Sequence, residues 1–169
     1  MDEEETKMET AKPQKEHEFL NRIVGDWVMT ASSGHEGYDP NDPAQRFTET
    51  VSSIGGLWII GNGSGKMPDG SVMTAVITVG FDPAKGHFVG TWVGSMMTYL
   101  WVYKGWLEDD GKTLTLEAEG PAFDGSGRID TYHDVLVLHD DNNRSFSGSV
   151  RQPDGTFKTF MTSEFQRKA

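Results

Sequence analysis

The chain of 169 residues contains no cysteine. Disulfides, thiolate metal sites and thiol nucleophiles are thereby excluded, and stability has to come from packing. No stretch approaches the roughly 18 consecutive apolar residues of a membrane-spanning helix. The start, MDEEETKMETAKPQKEHE, has neither the basic opening nor the apolar core of a secretory signal. These absences make a cytoplasmic address the expectation, with no membrane partner. Positive charge is scarce too: 15 Lys and Arg face 26 Asp and Glu, for a net charge of −11. Such a surface repels phosphates, which excludes nucleic acid and anionic membrane as nonspecific partners and favours a neutral or cationic one.

The length fits one domain, in which roughly 70% of the unfolded surface is buried on folding. Residues 1–13 are charged and almost without apolar anchors, the composition of a disordered acidic tail. Residues 14–168 then read as a single domain. Phe19, Leu20, Ile23 and Val24 recur at helical spacing after Pro13, with Gly25 as a stop. From Gly25 onward the period changes to two. About ten strands are predicted, near Asp26 to Ser32, Gln45 to Ile54, Leu57 to Gly65, Ser71 to Phe81, His87 to Val93, Met96 to Leu107, Thr113 to Glu119, Arg128 to Leu138, Ser145 to Arg151 and Phe157 to Gln166.

Turn chemistry separates them: Gly55-Gly56, Pro68-Asp69-Gly70, Asp82 to Gly86, Asp109-Asp110-Gly111 and Pro153-Asp154-Gly155. Short connections make sequential strands antiparallel neighbours. Two longer ones, Ser33 to Ala44 and Gly120 to Gly127, are candidate rim loops. A meander of about ten strands leaves two open edges unless it closes, so the predicted fold is an all-β, antiparallel up-and-down β-barrel with a short N-terminal capping helix. A barrel that wide leaves space that its side chains do not easily fill, hence a ligand cavity.

Three of the five tryptophans lie between Gly86 and Trp106. Gly94-Ser95 has the order of a two-residue type II′ turn, with glycine at the position of positive φ. A hairpin folded there pairs Trp92 with Met97, Gly90 with Tyr99 and Phe88 with Trp101. One face is then aromatic, and Phe88, Trp92, Met97, Tyr99, Trp101 and Tyr103 are the predicted wall of a ligand pocket. Gly90 fits a glycine covered by the ring of Tyr99. The other row, Val89, Val93, Met96, Leu100 and Val102, is too apolar for a fully solvated exterior and calls for cover by a loop, the helix or a second subunit, so a homodimer is one expectation.

The motifs His17-Glu18-Phe19-Leu20, Gly25-Asp26-Trp27, Gly55-Gly56-Leu57-Trp58, Met67-Pro68-Asp69-Gly70, Gly80-Phe81-Asp82-Pro83, Phe88 to Trp92, Leu114 to Pro121 and Tyr132 to Val135 together resemble the domain-of-unknown-function family numbered fifteen seventy-nine, from about Glu16 to Lys168. The Gly-X-Trp element also resembles the start of calycins: lipocalins, fatty-acid-binding proteins and nitrobindins. The resemblance implies a calycin-like barrel of a kind often found in bacterial proteins, with no established activity or catalytic set. It gives Trp27 a structural role, closing the barrel floor under the helix. The nitrobindin branch binds haem through a histidine, and none of the five histidines here aligns with that position. No cofactor is predicted, and a haem-binding protein stands as an alternative.

Other chemistry-bearing patterns are read more plainly. Gly61-Asn62-Gly63-Ser64-Gly65-Lys66 lacks the following helix and Ser or Thr of a phosphate loop. Asp124-Gly125-Ser126-Gly127 lacks the ligand spacing of a calcium loop. Glu117 and Glu119 alternate with Leu116 and Ala118 as a solvated face. His133 joins the pocket list if it faces inward with Val135 and Val137, leaving Tyr132 and Asp134 outside. The function expected is non-catalytic binding of a small apolar or amphipathic molecule, with an enzyme built on a polar cluster in the barrel as a further alternative.

Overall fold

The structure, a computed structural model, describes residues 9–34, 37, 39 and 41–168. Most of the expected acidic tail and the middle of the Ser33 to Ala44 connection therefore lie outside the described residues. A helix, α1 (Lys15–Asn21), precedes ten strands: β1 (Gly25–Ser33), β2 (Thr48–Ile54), β3 (Trp58–Lys66), β4 (Val72–Asp82), β5 (His87–Gly94), β6 (Trp101–Leu107), β7 (Thr113–Pro121), β8 (Ile129–Leu138), β9 (Asn143–Arg151) and β10 (Phe157–Arg167). Each strand pairs antiparallel with the next, and β1 also pairs with β10, so the meander closes into a barrel without a free edge.

The helix closes one end. Phe19, Leu20 and Ile23 turn into the core. His17, also buried, accepts the Gln14 N–H at Nδ1 (2.8 Å), which leaves Nε2–H to donate to the carbonyl of Phe81 (3.1 Å). This neutral imidazole fastens α1 to the end of β4. Trp27 is fully buried and donates from Nε1 to the carbonyl of Ile23 (2.8 Å), joining the floor of the barrel to the chain leaving α1. Gly25, just before, has φ +141°, and a Cβ there would strike the Arg167 guanidinium, which donates to the carbonyls of Val24, Arg22 and Asp141 and lies 4.4 Å over the Trp27 ring. Backbone conformation and the space for Arg167 both demand glycine at that position.

The central hairpin differs from the sequence reading. Phe88 pairs with Gly105, Gly90 with Tyr103 and Trp92 with Trp101, so the register is four residues from the expected one, and Met96 to Leu100 belong to the connection, not to β6. Gly94 does not adopt positive φ and forms no type II′ turn. It is the last residue of β5, pairs with Ala75, and its missing Cβ makes room for the ring of Trp92. Because the displacement is even, the faces are unchanged: Phe88, Trp92, Trp101 and Tyr103 remain on one side. The opposite row is solvent-facing, with Val93, Met96, Leu100 and Val102 all exposed.

Gly90 is not covered by a ring, either: what a Cβ would meet there is the Thr78 carbonyl. The covered glycines are elsewhere. The Trp101 indole lies against Gly120, and the Phe47 ring against Gly63 and Gly65, where the sequence Gly61 to Lys66 forms part of β3 and is followed by a turn. A Cβ on Gly120 would overlap the indole, which is held by edge contacts with Tyr99 and Tyr132 at 5.1 and 5.0 Å. Gly120→Ala should therefore cost about 1–3 kcal/mol, the usual penalty of overpacking. Urea denaturation reads this directly, and an unchanged midpoint would show that Trp101 is free to move.

Candidate functional site

Ten strands enclose more volume than their inward side chains fill. A cavity of about 440 Å³ runs from Ile23 beside the helix end to Met67, Met96, Phe123 and Phe160 at the opposite rim. Its wall is mostly apolar, with Met29, Val51, Ile59, Ile77, Leu114, Leu116, Phe146 and Phe165 contributed by seven different strands of the barrel.

Two polar pairs interrupt that wall. Arg144 at the start of β9 reaches across the floor to Glu49 on β2 and forms an ion pair with it. Its guanidinium lies 4.7 Å from the centroid of Trp27 and 4.3 Å from that of Phe165. Burial pushes the Arg144 guanidinium below its usual value and the Glu49 carboxylate opposes that push. The second pair is Asp134 on β8, whose Oδ2 accepts a hydrogen bond from the Tyr103 hydroxyl on β6. Burial raises the Asp134 carboxyl to about 6, against the opposing effect of the Tyr103 hydrogen bond. Burial, reinforced by the Asp134 charge, holds the Tyr103 phenol well above its usual value, so it remains the donor.

The residues singled out from sequence fall into four groups. Trp92, Met97 and Trp101 line the cavity, with Met97 contributing from the connection and accepting the Trp101 indole N–H on its sulfur (3.1 Å). Phe88 and Tyr103 are buried in the core behind the lining, Phe88 against Phe81 at 5.0 Å. Tyr99 sits outside, its hydroxyl donating to the carbonyl of Glu119 (2.9 Å). His133 faces away from the cavity: it meets Glu117 on the outer surface (2.9 Å) and stacks on Phe157 at 3.8 Å. The inward residues of β8 are thus Tyr132, Asp134, Leu136 and Leu138, the reverse of the alternative in which His133 faced in. That strand reads Val135-Leu136-Val137-Leu138, apolar on both faces, so alternation gives no direction. The partner strand would have supplied it, since Leu114 and Leu116 on β7 pair with Leu136 and Asp134 and are unambiguous.

Of the five histidines, His17, His87, His133 and His139 are described, and none of these four lines the cavity. Among the described residues no group of three or more His, Asp or Glu is arranged to hold a metal ion.

A family model described as "Protein of unknown function (DUF1579)" matches residues 12–167. No curated protein matches the chain. Among solved structures, that of a redesigned beta barrel aligns over 89% of this chain and 95% of its own at 12% identity, with a TM-score of 0.43.

Proposed function

The chain belongs to the DUF1579 family of proteins of unknown function, and for this member we propose non-catalytic binding of a small apolar or amphipathic molecule inside the barrel. The observation that carries this reading is the cavity of about 440 Å³ with its predominantly apolar wall, a volume within the roughly 300–1,000 Å³ usual for small-molecule pockets. Binding would draw on burial of apolar surface at about 25 cal/mol per Å², less the cost of ordering ligand and side chains.

Two observations weigh against the alternatives. The nitrobindin-like haem alternative needs a histidine aimed into the cavity, and none of the four described histidines lines it, His35 being outside the described residues. The enzyme alternative calls for a buried carboxylate, histidine and tyrosine within hydrogen-bond reach of one another; Asp134 and Tyr103 are hydrogen-bonded, and no described histidine forms a hydrogen bond with either.

Native mass spectrometry of freshly purified protein is the first test, since a molecule carried through purification adds its mass to the chain. Uptake of Nile red is the second. Ala75→Leu adds bulk to the cavity wall on β4 and should weaken uptake several-fold without lowering the stability read by urea denaturation by more than about 1–2 kcal/mol. Equal uptake by both proteins would sink the proposal.

A further inference from the structure

We propose that the cavity selects an amphiphile whose head group donates hydrogen bonds, an alcohol or an amine, and rejects one that ends in a carboxylate, with Asp134 as the selecting group. This rests on the binding reading above.

The four charged side chains among the described residues that line the cavity are Glu49, Lys66, Asp134 and Arg144. Lys66 is exposed at the rim. Arg144, the one cation of the interior, is already committed: Glu49 neutralises it, two aromatic rings cover it, and its Nε is sealed from solvent and cavity alike without a hydrogen-bond partner. Among the described residues, a ligand carboxylate inside the barrel therefore meets only a guanidinium already paired with Glu49, and the one unpaired cation of the lining, Lys66, stands at the rim.

Asp134 is in the opposite condition. Its Oδ2 accepts from Tyr103, and no other donor among the described residues reaches the carboxylate. The residue sits deep in the barrel and still keeps part of its surface accessible, and that surface is the wall of the cavity. Two carboxylates against one guanidinium leave the interior with an excess negative charge in surroundings where charges are poorly screened. A head group that donates a hydrogen bond satisfies the open lone pairs of Asp134, and an amine also matches the charge. A carboxylate meets repulsion instead.

Displacement of Nile red at pH 8 and physiological salt, by decanol, decylamine and decanoate, tests this. Decanol and decylamine should displace the dye at concentrations roughly tenfold below decanoate. In Asp134→Asn the gap should close to within about threefold, because an amide can donate to the carboxylate. Glu117→Gln, which removes one negative charge from the outer face, should leave the gap as it is. The order of the three ligands on the unaltered protein decides the matter whatever the variants do. Decanoate displacing the dye as well as decanol, with its head held at Lys66, would overturn the selection while leaving the cavity reading standing. Failure of the dye and all three ligands to bind would overturn both.

Discussion

Arg144→Ala should destabilise the barrel by about 3–5 kcal/mol, the range for removing one partner of a buried ion pair. The substitution leaves the Glu49 carboxylate on the floor without its guanidinium and strips the cover from the Trp27 and Phe165 rings. Arg144→Met, which keeps more of the packing, should still lose most of that stability, because the larger share comes from the stranded charge. The informative variant is the double one. Arg144→Met with Glu49→Leu removes both charges together, and apolar replacement of a buried pair is often neutral or stabilising, so it should return to within about 1 kcal/mol of the unaltered protein. Urea denaturation of the unaltered protein, Arg144→Met, Glu49→Leu and the double variant forms the cycle. A loss below about 1 kcal/mol in Arg144→Ala would show that water already stabilises Glu49 and that the floor does not depend on the pair.

Asp134→Asn should have the reverse sign at neutral pH. The folded protein raises this carboxyl from 3.8 to about 6, so between those values the folded state holds a proton that the unfolded chain has released. Stability from this group is therefore fully present below the unfolded value and is lost as the pH rises through about 6. The shift corresponds to roughly 3 kcal/mol at 1.36 kcal/mol per unit. Asparagine carries no charge at any pH and its oxygen can still accept from Tyr103. The stability of the variant relative to the unaltered protein should rise by about 2.5 kcal/mol between pH 4 and pH 8, with most of the change below pH 6. Taking the difference between the two proteins cancels the titration of the many surface carboxylates. A difference that stays flat with pH would mean that the carboxylate is hydrated through the cavity and that its surroundings do not penalise its charge. On the proposed reading, the same ionisation that costs stability would present a charged acceptor to a ligand, a trade of stability for binding.

The strands were legible in the sequence wherever glycine, proline and aspartate punctuate it. Pro68-Asp69-Gly70, Asp82 to Gly86 and Pro153-Asp154-Gly155 each stand where a connection stands, and the strands beside them begin and end within a residue or two of their expected limits. Gly94 misled because glycine serves two purposes that one residue type does not distinguish. A type II′ turn needs its positive φ, whereas Trp92 needs its missing Cβ. The continued pairing of Ala75 with Gly94 and of Ser95 with Thr74 decided between them, through hydrogen bonds between segments about 20 residues apart.

The sequence by itself determined a ten-strand antiparallel meander that had to close, because period-two patterning and short turns leave unpaired edges and closure removes them. It also determined that the aromatic residues Phe88, Trp92, Trp101 and Tyr103 share a face, since a displacement by an even number of residues does not change which side they take. Only the tertiary structure decided which polar groups that interior holds. Glu49 and Arg144 are 95 residues apart and Tyr103 and Asp134 are 31 apart, and neither pair is adjacent in any one sheet ladder. They meet across the inside of the barrel, where curvature and closure bring together strands that period and turn chemistry describe only one at a time.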